Sequence, residues 1–424
     1  MASIKRLNNT FRFTGSAMLP KDENKLYKVA ELNKNWSKAT LSLGVKVDDA
    51  NGTFINGFNA MIPTDENYQM SKPSAEVEDG KRGKVKFAFK DRTSSAIKKQ
   101  IMDMVLFTVD LEDDFEKKAQ REKLRFEIMN LEKKEDLSDE DKEKLEQHKK
   151  DYAEKSDKIF TFVHELDFIN CLKDNIETLK ANRIRVHGTY SIQAYNEKYY
   201  PQLTPNKLEL VSNEKDEESG EYKYKSELLM PTMDFYFDKE SLDNSALKDE
   251  KKIYVNGYLK GQIKEDDKYI EAYYPQQIII DCTKLDLENE GIAKLIQFTM
   301  GVFKVKGKNL WNMGIKCNLK QGAEEIIFDE SCLTDFQRMQ IELGRKTLDD
   351  YKPRGNVYGK SITEIRFSDF LDKMEQFSEG SVETDVRADE MVVATSKPKV
   401  QTVEEVKKEE KEDDESSALA GLFD

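Results

Sequence analysis

The stretch KKIYVNGYLKGQIKEDDKYIEAYYPQQIII, residues 251–280, decides the fold class of this chain. Its first part alternates apolar and polar side chains, so that Ile253, Val255 and Leu259 share one face of an extended segment. An acidic turn follows, and a second extended segment ends in a run of isoleucines. The pattern predicts a β-hairpin with one face in a core and the other face in solvent.

A four-residue motif in this hairpin occurs twice. Tyr-Tyr-Pro-Gln stands at 199–202 and at 273–276, each copy with Val-x-Gly upstream and Lys-Leu-acid-Leu downstream. A related Ile-Asn-Gly, 55–57, lies in another alternating segment, 38–63, which an Asp-Asp-Ala-Asn-Gly turn divides. Glycine inside a strand marks a bulge or a tight bend, as at the corner of a small barrel. The repeated unit is therefore predicted to be a hairpin of at least two small, curved β-domains.

The tyrosines of this motif have a restricted geometry. In a strand one tyrosine of each pair must point inward, so at most half of them are predicted to be open to a ligand. Pro201 and Pro275 are predicted at strand starts or sheet edges, because proline cannot donate to a ladder.

Composition excludes several classes of protein. The chain has 424 residues, enough for two or three domains, and neither a secretory signal nor an apolar run long enough to span a membrane is found. Four cysteines without CxxC spacing and three histidines predict reduced thiols, no metal and no cofactor, in a cytoplasmic protein. No catalytic motif is present, so we expect a protein that is not an enzyme.

Residues 112–155 are dense in Glu and Lys and contain neither Gly nor Pro. Leu124, Ile128 and Leu131 recur at helical spacing, and Ser138 before three acids is a good helix start. The segment is predicted to be an inserted helical hairpin. Its charge favours a solvated arm, and a partner-binding coiled coil is the alternative.

The C-terminal segment, 378–424, is poor in aromatic residues and rich in Glu, Lys, Ser and Val, a composition that predicts disorder. From residue 375 onward the chain has 15 acidic and 6 basic side chains, which is a net charge of −9 out of the whole chain's −14. The remaining residues therefore carry only −5, and the acidic total does not exclude a nucleic-acid partner for the folded part.

Several strands of the rest of the chain share one pattern, an apolar face under a cationic face, and two segments add aromatic rings. Rings flanked by lysines suit single-stranded nucleic acid, because unstacked bases lie on the rings and the cations follow the phosphates. Solvated strands also show such lysines, and Trp311 equally fits a core position. The residues predicted to contact DNA are Phe54, Phe58, Lys84, Lys86, Arg183, Arg185, Lys252, Tyr254, Tyr258, Lys260, Lys304, Lys306, Lys308 and Trp311.

Together these features resemble the single-stranded DNA-binding proteins of bacterial and phage replication that are built from tandem oligonucleotide-binding (OB) folds. Residues 179–211 and 352–371 are similar to the closing strands of two such barrels. The chain end resembles the acidic tail of that class: Asp413, Asp414 and Glu415 match its acids, and Leu422 and Phe423 match its apolar tip. The resemblance implies that these five residues bind replication or recombination proteins, or compete with DNA for the chain's own cations.

The sequence thus predicts a mainly β protein with an α insertion. We expect an N-terminal segment, 1–29, an OB-like barrel over 30–215 with the hairpin inserted at 112–155, a second OB-like barrel over 222–372, and the disordered tail. The predicted function is sequence-independent binding of single-stranded DNA in replication, recombination or repair, in a bacterial and possibly phage-infected cell. A β-rich scaffold, such as a phage assembly component, and a nuclease subunit are the alternatives.

Overall fold

The computed structural model describes residues 7–55, 57–63, 67–72, 83–100, 107–134, 136–195, 198–265, 268–325, 328, 332–352, 358–371 and 381–394. The first half contains twelve strands and five α-helices among these residues. The strands are β1 (Thr10–Met18), β2 (Tyr27–Asn33), β3 (Trp36–Leu41), β4 (Gly44–Lys46), β5 (Gly52–Phe54), β6 (Asn59–Pro63), β7 (Asn67–Lys72), β8 (Gly83–Ala88), β9 (Phe107–Asp110), β10 (Ile159–Phe162), β11 (Arg183–Tyr195) and β12 (Lys198–Val211). The helices are α1 (Ser95–Gln100), α2 (Phe115–Glu132), α3 (Asp139–Glu154), α4 (Glu165–Asp174) and α5 (Ile176–Ala181).

The second half is built mainly from long strands. These are β13 (Glu227–Phe237), β14 (Leu242–Asp243), β15 (Lys252–Glu265), β16 (Lys268–Asp281), β17 (Asn309–Glu325), β18 (Tyr358–Phe370) and β19 (Val382–Arg387). Its helices are α6 (Glu290–Phe303), α7 (Asp335–Glu342) and α8 (Leu348–Tyr351). The protein is therefore mainly β with several helices, as the sequence predicts.

One 14-stranded sheet joins the two halves, in the order β10-β9-β12-β11-β1-β13-β15-β16-β18-β17-β19, with β4, β5 and β14 beside it. The junction is an antiparallel pairing of β1 with β13, in which Phe13 lies opposite Leu228. Among the described residues, the other strands form a three-stranded sheet, β2-β3-β6, and a two-stranded sheet, β7-β8. The large sheet as a whole is not a barrel.

Five strands of the second half nevertheless pair in a closed circuit. β13 pairs with β15, β15 with β16, β16 with β18, β18 with β17, and β17 returns to β13. Four of these pairings are antiparallel and the β16–β18 pairing is parallel. Helix α6 lies between the third and fourth of these strands in chain order.

The first half repeats part of this order. β1 pairs with β11, β11 with β12, and β12 with β9 in a parallel arrangement, while α4 and α5 precede β11 in the chain. No pairing among the described strands closes a circuit here.

The apolar core is continuous through both halves. Phe11 and Phe13 of β1 are 1% and 0% exposed, and Phe235 and Phe237 of β13 are fully buried in the same cluster. The segment before residue 30, which the sequence-based boundaries leave outside both domains, therefore supplies a central strand. Burial of these rings is a large contribution to stability, roughly 1.5–3 kcal/mol for each.

The helices predicted within 112–155 are present as α2 and α3. Asp114 caps α2, and the Ser138 hydroxyl accepts a hydrogen bond from the backbone of Asp141 at the start of α3. An ion pair between Arg121 of α2 and Asp110 of β9 holds the hairpin to the sheet, and both residues are buried. The hairpin is thus docked through charges at its base, whereas Phe126 farther along α2 is 60% exposed.

Two glycines of the Val-x-Gly motifs allow strands to cross closely. A Cβ on Gly188 would lie 2.2 Å from the carbonyl oxygen of Thr204, and one on Gly257 would lie 2.3 Å from the ring of Phe235. The pairing of β11 with β12 shifts register between His187 and Gly188, which is the predicted bulge. Glycine is needed here because any side chain would separate the strands.

The structure corrects the predicted start of the disordered tail. Residues 382–387 form β19, which pairs with β17, and Val393 makes a bridge to Tyr273. Ala394 is fully buried. Residues 381–394, which we name the C-terminal strap, therefore belong to the fold, and residues 395–424 lie outside the described part of the chain.

Candidate functional site

The two Tyr-Tyr-Pro-Gln hairpins, β11–β12 and β15–β16, meet at one cleft of about 430 Å³. We name it the inter-hairpin cleft. The first half lines it with residues of β5, β11 and β12, and the second half with residues of β15, β16, β17 and β18. Pro201 and Gln276, one from each copy of the motif, are both part of the lining. The repeat therefore brings its two copies to the same cleft.

Two hydrogen bonds cross this cleft between the halves. The hydroxyl of Tyr190 donates to Oε1 of Gln276 over 2.8 Å, and the hydroxyl of Thr53 donates to Oε1 of Gln321 over 2.5 Å. The Gln276 amide nitrogen in turn donates to the carbonyl oxygen of Gln277 over 2.8 Å. The Gln276 amide is fixed in orientation, because both its oxygen and its nitrogen have partners.

Aromatic rings form the open walls of the cleft. Phe54 of β5 is 45% exposed, Tyr199 of β12 is 36% exposed, and Tyr254 of β15 is half-buried. The Tyr254 hydroxyl donates to a carboxylate oxygen of Glu250 over 2.7 Å, and this hydrogen bond raises the pKa of Tyr254 to about 12. The ring is thus held in place and its hydroxyl stays protonated.

The cleft is nearly neutral. Among the lining residues that the structure describes, Glu364 is the one that carries a charge. Burial alone would raise its pKa, but hydrogen bonds from Lys252 and Arg366 outweigh that effect and lower the pKa. The Lys252 ammonium lies 2.8 Å from Glu364, so this charge is compensated.

The prediction that one tyrosine of each pair points inward is wrong for the first copy, where both are exposed, whereas in the second copy neither is open to a ligand. Tyr199 and Tyr200 are 36% and 43% exposed, in a part of β12 that has a strand on one side only. Tyr273 and Tyr274 are both buried, since the C-terminal strap covers the first and Ala394 packs against the second. The prolines lie inside the strands but at their unpaired edges, as expected from the missing N–H.

The structure brings together two of the residues predicted to stack on bases, Phe54 and Tyr254. The prediction that Phe58 faces outward is wrong: it is 1% exposed and stacks on Phe168 in the core. Tyr258 is half-buried in a cluster with Tyr236 and residues of the C-terminal strap. It lines a different cleft, which it shares with Lys308.

Trp311 is half-buried and packs against the core, while its ring nitrogen donates to the carbonyl oxygen of Lys306 over 3.3 Å. Lys304, Lys306 and Lys308 are exposed, but the predicted strand is absent there. The segment is the loop after α6, which ends at Phe303.

Three predicted cations have acidic or aromatic partners instead of an open face. Arg183 is 3% exposed, and its guanidinium lies 4.1 Å from the ring of Tyr222, so the predicted outward position is wrong. Lys252 pairs with Glu364 as described above. Lys260 lies 2.7 Å from Glu271. The side chains of Lys84 and Lys86, and the tail residues Asp413, Asp414, Glu415, Leu422 and Phe423, lie outside the described part of the chain.

Arg185 belongs to a second cluster, centred on Glu209 of β12. Arg185, Lys118, Lys207 and His187 all lie within 3.1–3.4 Å of the Glu209 carboxylate, which is 8% exposed. Burial alone would raise the pKa of Glu209, but the hydrogen bond from His187 and the charges of Lys118 and Lys207 lower it well below its usual range. Here α2 and the sheet are joined by charges.

The residues predicted to contact DNA are therefore distributed over three separate places among the described side chains. Phe54 and Tyr254 are at the inter-hairpin cleft, Arg185 is at the Glu209 cluster beside α2, and Lys308 is beside the C-terminal strap. The alternation of apolar and polar residues predicts which side chains of a strand share one face of the sheet. It does not predict where that face lies in the folded molecule.

Residues that sequence reasoning missed complete the cleft, above all Tyr190, Thr53 and Gln321. The glutamine of the repeated motif was the available signal for Gln276, because an amide conserved between two copies of a hairpin indicates a fixed polar contact. No motif around Thr53 or Gln321 indicates that their side chains form a hydrogen bond.

None of the described helices is both long and apolar enough to cross a lipid bilayer. Within the described ranges no group of three His, Cys, Asp or Glu side chains is arranged to hold a metal ion. No model of a known protein family matches this chain, and no curated protein sequence matches it.

Proposed function

We propose that this protein binds single-stranded DNA without sequence preference, in replication, recombination or repair. The observation that carries the proposal is the meeting of Phe54 and Tyr254, about two hundred residues apart in the chain, in one open cleft. Exposed rings in a cleft are the groups on which unstacked bases lie, at about 1–3 kcal/mol for each base.

The strand pairing supports the OB-like part of the proposal. An OB fold is a five-stranded, partly open barrel that uses the face of its second and third strands for oligonucleotides. In the closed circuit of the second half, β15 and β16 are the second and third strands, and Tyr254 lies on β15. The first half has a parallel pairing of its own, between β12 and β9. We propose two such units, with residues 395–424 as a partner-binding segment, in the cytoplasm of a bacterial or phage-infected cell.

The test is a titration of labelled oligo-dT and of a duplex of equal length, each at two salt concentrations. We expect the full-length protein to prefer the single strand strongly, and its affinity to fall with salt as phosphate contacts require. Equal affinity for the two ligands, or no binding to either, contradicts the proposal. Shortening of the strand with magnesium would instead identify a nuclease.

A β-rich scaffold is the second candidate, and one observation favours it. Helix α7 exposes Phe336 and Met339, and its C-cap residue Leu343 continues their spacing; the three are 65%, 46% and 57% exposed. Apolar side chains aligned on one face of an exposed helix are typical of a protein-binding surface. If neither DNA ligand binds, this surface becomes the leading hypothesis for function.

A further inference from the structure

We propose that the inter-hairpin cleft is a pocket for one uncharged nucleobase of the bound DNA. This base inserts between the two halves of the protein. This inference rests on the proposed binding of single-stranded DNA and adds the site and the part of the ligand that it takes. It predicts that the cleft contacts the base and that the phosphates remain outside.

The size of the cleft fits such a ligand. Pockets for small organic groups are concave, span roughly 300–1,000 Å³, and are mostly apolar with a few placed polar groups. The inter-hairpin cleft has about 430 Å³ and combines rings and prolines with amide and hydroxyl groups. A nucleobase has the same mixture: two apolar faces and a polar edge.

The walls offer faces for stacking from both halves. Phe54 belongs to the first half and Tyr254 to the second, and Pro275 and Pro201 add flat apolar surface from the two copies of the motif. Because Glu250 holds the Tyr254 hydroxyl, the ring is fixed before a ligand arrives, and little side-chain entropy is lost on binding.

The polar groups suit the edge of a base. Oε1 of Gln321 accepts from Thr53, and no described group accepts from its amide nitrogen, so this nitrogen can donate to a ligand. Gln277 donates its amide nitrogen to Asn256 over 2.8 Å, and its side-chain oxygen accepts from no described group. A donor and an acceptor in one cleft match the edges of bases, which carry both.

Charge argues against a phosphate as the occupant. The one charged lining residue described is the acidic Glu364, already paired with Lys252 and Arg366. A phosphate would meet a carboxylate and no unpaired cation among the described lining residues. A neutral base meets no such repulsion. Because a base in a duplex is already stacked and paired, the cleft selects unpaired DNA strands.

The experiment compares full-length wild type with Tyr254→Ala and Gln321→Ala, using oligo-dT at several salt concentrations. We expect Tyr254→Ala to weaken binding about 5- to 150-fold, the equivalent of one lost stacked base, and the slope of log affinity against log salt to stay unchanged. Tyr200→Ala is the matched control, because Tyr200 is 43% exposed but does not line the cleft. It should bind like wild type.

Outcomes separate the two proposals. Wild-type affinity in both cleft variants overturns the base pocket and leaves single-strand binding intact, whereas absence of binding in wild type overturns the proposed function itself. A flattened salt slope would mean that the cleft contacts phosphate, and this also overturns the inference. A second measurement needs no variant: 2-aminopurine placed within oligo-dT should lose fluorescence when wild type binds it, and unchanged fluorescence in the bound state contradicts insertion between rings.

Discussion

Tyr190 of β11 donates a hydrogen bond from its hydroxyl to the side-chain oxygen of Gln276 in β16, over 2.8 Å. This bond joins the hairpin that carries the first copy of the repeated motif to the glutamine of the second copy. Tyr190 is 6% exposed, and burial raises its pKa above the ordinary value, so the hydroxyl remains a donor.

Replacing Tyr190 by Phe removes this hydrogen bond while keeping the ring. We expect the free energy of unfolding to fall by about 1 kcal/mol, the usual net contribution of one hydrogen bond. Urea unfolding measures the change. Tyr199→Phe is the control: its hydroxyl has no described partner and its side chain is 36% exposed, so a loss as large as that of Tyr190→Phe would contradict the assignment.

The buried ion pair between Arg121 and Asp110 should contribute strongly to docking of the helical hairpin. Arg121→Ala leaves the buried Asp110 carboxylate with Lys118, 3.4 Å away, as its remaining cation, so we expect the unfolding free energy to fall by about 2–3 kcal/mol, less than for a fully unpaired buried charge. Arg125→Ala, which removes an exposed pair with Glu122, should change stability by less than about 1 kcal/mol. Similar losses for the two variants would show that the buried pair has no special role.

Glu209 should make stability depend on acid pH. Its pKa is lower in the folded protein than in the unfolded chain, so its contribution is present above the unfolded pKa and is lost as the pH falls toward the folded value. Urea unfolding from pH 6 down to pH 3 measures this loss. Glu209→Gln should be less stable at pH 6 and should lose less stability on acidification; an unchanged pH slope would contradict the interpretation.

Gly257 should not tolerate a side chain. In Gly257→Ala the new methyl group would meet the Phe235 ring at 2.3 Å and the Tyr236 carbonyl oxygen at 2.4 Å, so we expect a destabilisation of about 1–3 kcal/mol. Gly301→Ala is the control within α6, since nothing lies within 4 Å of its added methyl group. That variant should be about 0.5–1 kcal/mol more stable, because alanine favours helix. Thermal unfolding compares the two.

The exposed lysines after α6 test the electrostatic part of single-strand binding. Changing Lys304, Lys306 and Lys308 together to Glu should weaken binding and reduce the salt slope by about 0.7 for each phosphate contact that is lost. The control is the same charge change at Lys142, Lys144 and Lys149 of α3, far along the helical hairpin. If both triple variants lose affinity equally, the effect comes from net charge and not from this loop.

The sequence predicts the long hairpins correctly because alternation over many residues outweighs local alternatives. Ile253, Val255 and Leu259 are at most 2% exposed, as the pattern requires. The six residues around Lys304 show the same alternation, yet Phe303 ends a helix whose cap, Asn289, lies 14 residues earlier. A short alternating run cannot be distinguished from the end of a helix.

Contacts between distant segments explain the other differences. Phe58 alternates with exposed positions, but α4 brings Phe168 over it and removes it from solvent. The sequence of β19 is polar, and its place in the fold comes from backbone pairing with β17, which composition does not reveal. The cleft that Phe54 and Tyr254 share also depends on contacts between distant segments, which no local sequence pattern indicates.

The pairing of β1 with β13 has a consequence for the integrity of the molecule. Proteolytic nicking in the exposed loop 213–225 would leave two fragments that remain associated through this pair of strands and the shared core. Produced separately, each fragment would present an uncovered strand edge and exposed phenylalanines. Fragment complementation should therefore restore the native assembly when the two pieces are mixed, and either piece alone should self-associate.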